Sequence, residues 1–283
     1  MGPFHFPEID PVALALGPIE IRWYALAYIT GLVFAWRYGM RVAGRSPHLL
    51  KPDHIDQFLT WAVFGVIIGG RLGHILFYYP GYYLSNPIEI LYVWEGGMAF
   101  HGGLLGVIGA MYLFAKKHKL KFFWLADVAA IVAPVGLFFG RIANFINQEL
   151  WGRVTDVSWA VIFPRAGPEP RHASQLYEAA MEGILLFLVT FGAYKFLNAR
   201  QRPGLISGLF LIGYCIARAI GEIFREPEVL TTGLPFNTTW GQWLSVPMAL
   251  YGGYLVWSAY KNPIEESKTP KKDTPSKKSK KKA

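Results

Sequence analysis

"FFWLADVAAIVAPVGLFF" at 122–139 runs without a break into "GRIANFINQELWG" at 140–152. The first part is apolar over nearly the length a helix needs to cross a bilayer. The second places Arg141, Asn144, Asn147, Gln148 and Glu149 within a few positions of one another. A hydrophobic segment that merely ended in a loop would not need such a density of hydrogen-bonding groups. One that ends in a binding site would.

The rest of the chain has the same character. Of its 283 residues, 53% are hydrophobic, 16% aromatic and only 17% charged, a balance that excludes an ordinary soluble domain and points to an integral membrane protein. Seven apolar stretches approach the required length, at roughly 20–39, 58–79, 98–115, 122–140, 175–195, 204–224 and 240–260. The fold class expected is an all-α polytopic membrane protein of about seven transmembrane helices. The opening "MGPFHFPEIDP" lacks the basic start and apolar core of a cleavable signal peptide, so the first span is expected to be kept.

Charge sets the orientation, because Lys and Arg in short loops stay cytoplasmic. With the N-terminus outside and the C-terminus cytoplasmic, the inner connections carry Arg41, Arg45 and Lys51, then Lys116, Lys117, Lys119 and Lys121, then Lys195, Arg200 and Arg202. With the nine lysines of the tail from Lys261 counted among the cytoplasmic segments, the basic residues left over are all arginine: Arg22, Arg37, Arg71, Arg141, Arg153, Arg165, Arg171, Arg218 and Arg225. Residues 1–260 are expected to form one transmembrane catalytic domain. The remainder, 261–283, is a Lys-rich, Pro/Ser-rich tail expected to be disordered and cytoplasmic. Beside a membrane, such a tail implies lipid contact or solvation and not nucleic acid. The lone Cys215 inside the sixth span is read as an apolar filler.

With orientation set, the polar residues within the spans gather at the outer end. Tyr24 opens the first span, and Arg71, His74 and Tyr78 share a face late in the second. His101 stands among glycines that allow close backbone approach. Arg141 and Asn144 close the fourth span, Ser174, Glu178 and Glu182 repeat every four residues in the fifth, and Tyr214, Arg218, Glu222 and Arg225 form a stripe leaving the sixth. A guanidinium in hydrocarbon costs on the order of 3 kcal/mol, so Arg71 and Arg218 should turn inward. Two readings follow. In one, Arg218 pairs with Glu222, Arg71 pairs with Glu178 or Glu182, and the charges only hold helices together. In the other, arginines from several helices form an anion site, since guanidinium forks match phosphate. A solute transporter would place its site near the midplane and show an internal repeat. An off-centre site suits a phospholipid headgroup better.

The motif at 140–152 resembles the signature of the bacterial prolipoprotein diacylglyceryl transferases, G-R-x-[GA]-N-F-[apolar]-N-x-E-x-x-G, with every fixed position matched. "HFPEIDPVALALGPIEIRWYAL", "GGRLGHILFY", "WEGGMAFHGGLLG", "RHASQLYEA", "SGLFLIGYCIARAIGEIFREP" and "GQWLSVPM" resemble further family blocks in the same order, so the likeness covers about residues 5 to 260. The resemblance implies an enzyme of the bacterial cytoplasmic (inner) membrane, its active site toward the outer leaflet. It would move the diacylglyceryl group of phosphatidylglycerol onto the lipobox cysteine of a prolipoprotein signal peptide, forming a thioether and releasing glycerol phosphate. No metal or cofactor is implied.

The same resemblance suggests roles. Arg141 and Arg218 would hold the phosphate, and His101 would accept the thiol proton or position a group. Asn144 and Asn147 would meet ester or glycerol oxygens, Glu149 would orient an arginine and Gly152 would permit a turn. Tyr24 and Tyr214 would hydrogen-bond the lipid or serve as interfacial anchors, Arg71 would assist binding, and Glu222 and Arg225 would brace Arg218. Relatives carry tyrosine where this chain has His74, and Pro-Asp where it has Pro227-Glu228. Segment 154–173 is short for an external insert and is expected to form a reduced cap.

Overall fold

The structure, a computed structural model, describes residues 2–7, 9–17, 19–44, 50–226 and 240–264. The tail from 265 onward, Pro227-Glu228 and Arg45 lie outside these residues. The chain is mostly helical, with α1 (Trp23–Ala43), α2 (Pro52–Tyr78), the short α3 (Pro80–Ser85), α4 (Phe100–Lys117) and α5 (Phe122–Ile146). There follow α6 (Ser174–Glu178), continuous through a π-helical stretch Ala179–Leu185 with α7 (Leu186–Phe196), then α8 (Leu205–Phe224) and α9 (Trp240–Lys261). A helix thus stands at each of the seven expected places. Among the described residues, four are long and apolar enough to cross a membrane: Pro52–Tyr78, Phe122–Ile146, Ser174–Phe196 and Leu205–Phe224.

Large apolar side chains lie exposed along these helices, among them Leu76 and Phe77 of α2, Leu105 of α4, Leu188 of α7 and Leu250 of α9. So wide an apolar surface belongs against lipid, and the chain is an integral, polytopic membrane protein. Its core is built where α4, α5 and α8 face inward, around Phe114, Leu125, Ile131 and Leu205, all fully buried.

Without water to drive them together, helices in lipid associate by close packing of small residues. The pairing of α2 with α4 shows this: a Cβ on Gly65 would lie 2.7 Å from the Gly106 carbonyl oxygen, and one on Gly73 would lie 2.7 Å from Gly102 Cα. The glycines around His101 therefore do allow the close approach expected of them.

Two features depart from expectation. First, α5 runs six residues past the expected end of its span, because Ile142, Ala143, Phe145 and Ile146 keep an apolar face at helical spacing; Ala143 is fully buried. Arg141 and Asn144 thus sit on the helix itself. Second, the all-α expectation fails at this same end of the bundle, where five short strands form. β1 (Phe4–His5) pairs in parallel with β4 (Val161–Ile162), which pairs antiparallel with β5 (Pro170–Arg171). β2 (Val12–Leu16) and β3 (Ile19–Arg22) make a hairpin that delays the start of α1 to Trp23. Strands of two residues are too short to register as alternation. Phe6, following β1, packs its ring 5.2 Å from Phe145 of α5 and 5.5 Å from Phe163, so the small β layer is fastened to the end of α5.

Candidate active site

The site is a charge cluster at the end of the bundle capped by the strands. Arg141, on the last turns of α5, donates from Nε at 3.0 Å and Nη2 at 2.9 Å to one oxygen of Glu182, while its Nη1 lies 2.9 Å from Glu178 Oε2. Arg218 on α8 reaches the other Glu178 oxygen at 3.3 Å and forms an ion pair with Glu222 one turn further on. Arg225 lies 3.9 Å from Glu178 Oε1. Glu178 is therefore the common partner of three arginines: Arg141 on α5, Arg218 on α8 and Arg225 just past the end of α8. It ends α6, and Glu182 lies in the π-helical stretch, an irregularity common at functional sites.

The cluster is electrically balanced yet lopsided in access. The side chains of Glu178 and Glu182 are 0% exposed, whereas Arg141 is 13% and Arg218 17% exposed. The carboxylates are the sealed part of the cluster, and the arginines are the part that keeps some exposure. Buried ion pairs of this kind fix geometry more than they add stability. Here they hold two guanidiniums in set orientations. Tyr24 lies within electrostatic range of Arg141 and Glu149, and Tyr214 within range of Arg141, Arg218, Glu178 and Glu182.

The signature turn closes the site. Asn147 ends α5, and Gln148 and Leu150 take positive φ of 53° and 56°, uncommon for residues other than glycine. The turn is held from beneath: Gln175 Nε2 donates to the Glu149 carbonyl at 2.6 Å and Ser174 Oγ to the Leu150 carbonyl at 2.9 Å. Both residues are fully buried at the start of α6. Glu149 accepts from Asn144 Nδ2 at 3.2 Å and Asn147 Nδ2 at 3.4 Å, so its partners are amides and not the arginine expected. Gly152 makes no turn of its own. It bridges to Arg225, its N–H donates to the His172 carbonyl at 2.9 Å, and a Cβ would come within 2.5 Å of that oxygen and 2.7 Å of Phe224 O. Close approach of three backbone segments requires glycine there.

Of the residues singled out from sequence, Tyr24, Arg141, Asn144, Asn147, Glu149, Gly152, Tyr214, Arg218, Glu222 and Arg225 come to this end of the bundle. Arg71 does not join them. Arg71 is buried, and its guanidinium donates to the carbonyls of Ile90 (3.0 Å), Gly96 (2.7 Å) and Glu89, clamping segment 89–97 onto α2. The acids considered as its partners belong to Arg141 instead. His101 is exposed at the second position of α4, its ring beside Phe100, and makes no hydrogen bond among the described residues. The pairing of Arg218 with Glu222 is present. Glu178 and Glu182 were visible only as a polar stripe; that they form the hub depends on the π-helical stretch and on the extension of α5.

The sequence that builds this end is matched by known proteins. Residues 11–258 match the model of the family described as prolipoprotein diacylglyceryl transferase. A protein of Rhodospirillum centenum named phosphatidylglycerol–prolipoprotein diacylglyceryl transferase is 52% identical over 273 residues, covering 95% of this chain and 98% of its own. A protein of that name from Azospirillum brasilense is 53% identical, covering 91% and 97%, and one from Rickettsia bellii is 50% identical, covering 89% and 95%. A family match over most of the length, with relatives this similar aligned almost end to end, leaves one assignment: the chain belongs to the prolipoprotein diacylglyceryl transferase family.

Proposed function

We propose that the protein transfers the diacylglyceryl group of phosphatidylglycerol to the lipobox cysteine of prolipoproteins, the first step of lipoprotein maturation. In that reaction the cysteine sulfur attacks a glyceryl carbon. A sulfur–carbon bond forms, the carbon–oxygen bond to phosphate breaks, the electron pair stays on the phosphate oxygen, and the thiol proton passes to a base. The products are a thioether and glycerol phosphate.

One observation supports the reading: two arginines from separate helices, Arg141 and Arg218, keep 13% and 17% of their side chains exposed over carboxylates that keep none. As negative charge grows on the departing oxygen, donors already held in place stabilise it without reorganising, an effect worth roughly 100- to 1,000-fold for a single donor. Glu178, Glu182 and Glu222 set the orientation of those donors. Asn144, Asn147, Tyr24 and Tyr214 supply hydrogen bonds to ester and glycerol oxygens. His101 serves the thiol, whose free pKa of ~8.5 leaves little thiolate at neutral pH. Its exposed place at the start of α4 suits a group that meets the incoming peptide. Arg71 acts indirectly, through the segment it clamps.

The seven long helices all cross the bacterial inner membrane in this reading, with the N-terminus and the charge cluster toward the outer leaflet, and residues 1–260 act as one catalytic unit. Purified protein given phosphatidylglycerol and a lipobox peptide should yield thioether-modified peptide and an equal amount of glycerol phosphate. Arg141→Ala and Arg218→Ala should lose that product while still folding. Movement of lipid without product, or near wild-type rates in both variants, would overturn the assignment.

A further inference from the structure

Beyond the charge cluster lies a second recess, a cavity of about 240 Å³ lined by Pro11, Val12, Arg22, Asn147, Glu149 and Arg165. Two of its walls are cations from separate segments: Arg22 ends β3, and Arg165 sits in a 3₁₀ turn, Pro164–Ala166. Arg165 is held firmly, its backbone N–H donating to Gln148 Oε1 at 3.1 Å and its Nη1 to the Asn147 carbonyl at 2.9 Å. Among the described residues its Nε and Nη2 have no partner. Among the described residues the Arg22 side chain pairs with Glu20, at 3.3 Å, and is 65% exposed. Glu149, the one acid in the lining, already accepts from Asn144 and Asn147, and its charge is thereby partly offset.

The cavity adjoins the proposed reaction centre through a short chain of contacts. Glu149 binds Asn144, and Asn144 lies one turn beyond Arg141 on α5. It is smaller than the ~300–1,000 Å³ of sites that bury drug-sized ligands, which suits a headgroup and not acyl chains. Guanidiniums suit a phosphate, and an amide beside a carboxylate suits the hydroxyls of a glycerol.

We infer that this cavity is a glycerol phosphate subsite in which Arg22 and Arg165 receive the polar end of the lipid as it departs. This rests on the transferase reading above and adds two residues to it. The same chemistry arrives from two sources, the headgroup still attached to lipid and the free product.

The test compares wild type, Arg22→Gln and Arg165→Gln in initial rates of thioether formation with added glycerol phosphate, and in calorimetric titration with glycerol phosphate alone. Wild type should bind and be inhibited by glycerol phosphate. Each variant should need roughly tenfold more for the same effect, the scale of losing one charge-assisted hydrogen bond. A parallel rise in KM for phosphatidylglycerol assigns the subsite to the lipid headgroup; weakened inhibition with KM unmoved assigns it to the released product. Absence of binding to wild type, or inhibition equal in all three proteins, overturns the inference. Arg22 is exposed, so its variant reports on binding even where Arg165→Gln disturbs the turn. If wild type formed no thioether, the transferase reading would fall, and the titration would still decide the cavity.

Discussion

Arg141 and Glu182 are joined by two donors on a single carboxylate oxygen, Nε at 3.0 Å and Nη2 at 2.9 Å. The side-on fork fixes the plane of the guanidinium, and it leaves Nη1 for Glu178. One arginine is thus tied to two acids a helical turn apart on the next helix.

The two acids should not be equivalent. Among the described residues Glu178 serves Arg141, Arg218 and Arg225, whereas Glu182 pairs with Arg141. Removing one partner of a buried pair costs about 3–5 kcal/mol. Glu178→Ala is expected at the upper end of that range and Glu182→Ala below it, measured by thermal unfolding in detergent. Equal losses would show that the three-way contact at Glu178 has no energetic meaning.

At the opposite end of α5, Asp127 accepts from the Gly204 and Ser207 N–H groups, each at 2.8 Å, and from Ser207 Oγ at 2.6 Å. It caps the first turn of α8 from a neighbouring helix. Asp127→Ala leaves buried donors unpaired and should cost on the order of 1–3 kcal/mol. Hydrogen exchange should show the amides of 204–208 opening first; protection unchanged from wild type would refute the capping role.

The α2–α4 crossing predicts a contrast between glycines. Gly65→Val would put a Cβ 2.7 Å from Gly106 O and 3.0 Å from Ala110 Cβ, so it should destabilise by about 1–3 kcal/mol through overpacking. Gly103→Ala meets nothing nearer than Val66 O at 3.6 Å and should unfold at the wild-type temperature within a degree or two. The pair of melting curves reads the crossing directly.

His172 gives a pH dependence. Burial holds its imidazole below the usual value, because the cationic form is poorly solvated against Phe224 and Tyr177. The folded state therefore favours neutral His172. Its contribution is complete above the unfolded value of ~6.5 and drains away as the pH falls through that value toward the lower folded one. In His172→Gln this part of the acid-side loss should disappear from stability curves taken between pH 7.5 and 5; an unaltered slope would count against it.

Much of this was legible in the sequence, for reasons that can be named. A long apolar run is a strong signal, so helices stand where α1, α2, α4, α5, α7, α8 and α9 were expected. The stripe of Tyr214, Arg218, Glu222 and Arg225 follows helical spacing on α8, and it reached the site. Arg71 misled because burial cost alone says only that a guanidinium turns inward, not whether it finds acids or backbone carbonyls. Gln175 was passed over because an amide at a helix start looks like surface until the turn it supports is seen. β1, β4 and β5 escaped because two residues carry no period, the β2–β3 hairpin because its apolar residues run on into the first span, and Gly152 was read as a turn because its real constraint, three segments meeting, is tertiary.

The parallel pairing of Phe4 with Val161 bears on the order of assembly. The opening strand has no ladder partner until α1, α2, α4 and α5 have all been synthesised. The helices are therefore laid down before the sheet that joins two distant strands can form, and the β layer that Phe6 fastens to the end of α5 is fitted late.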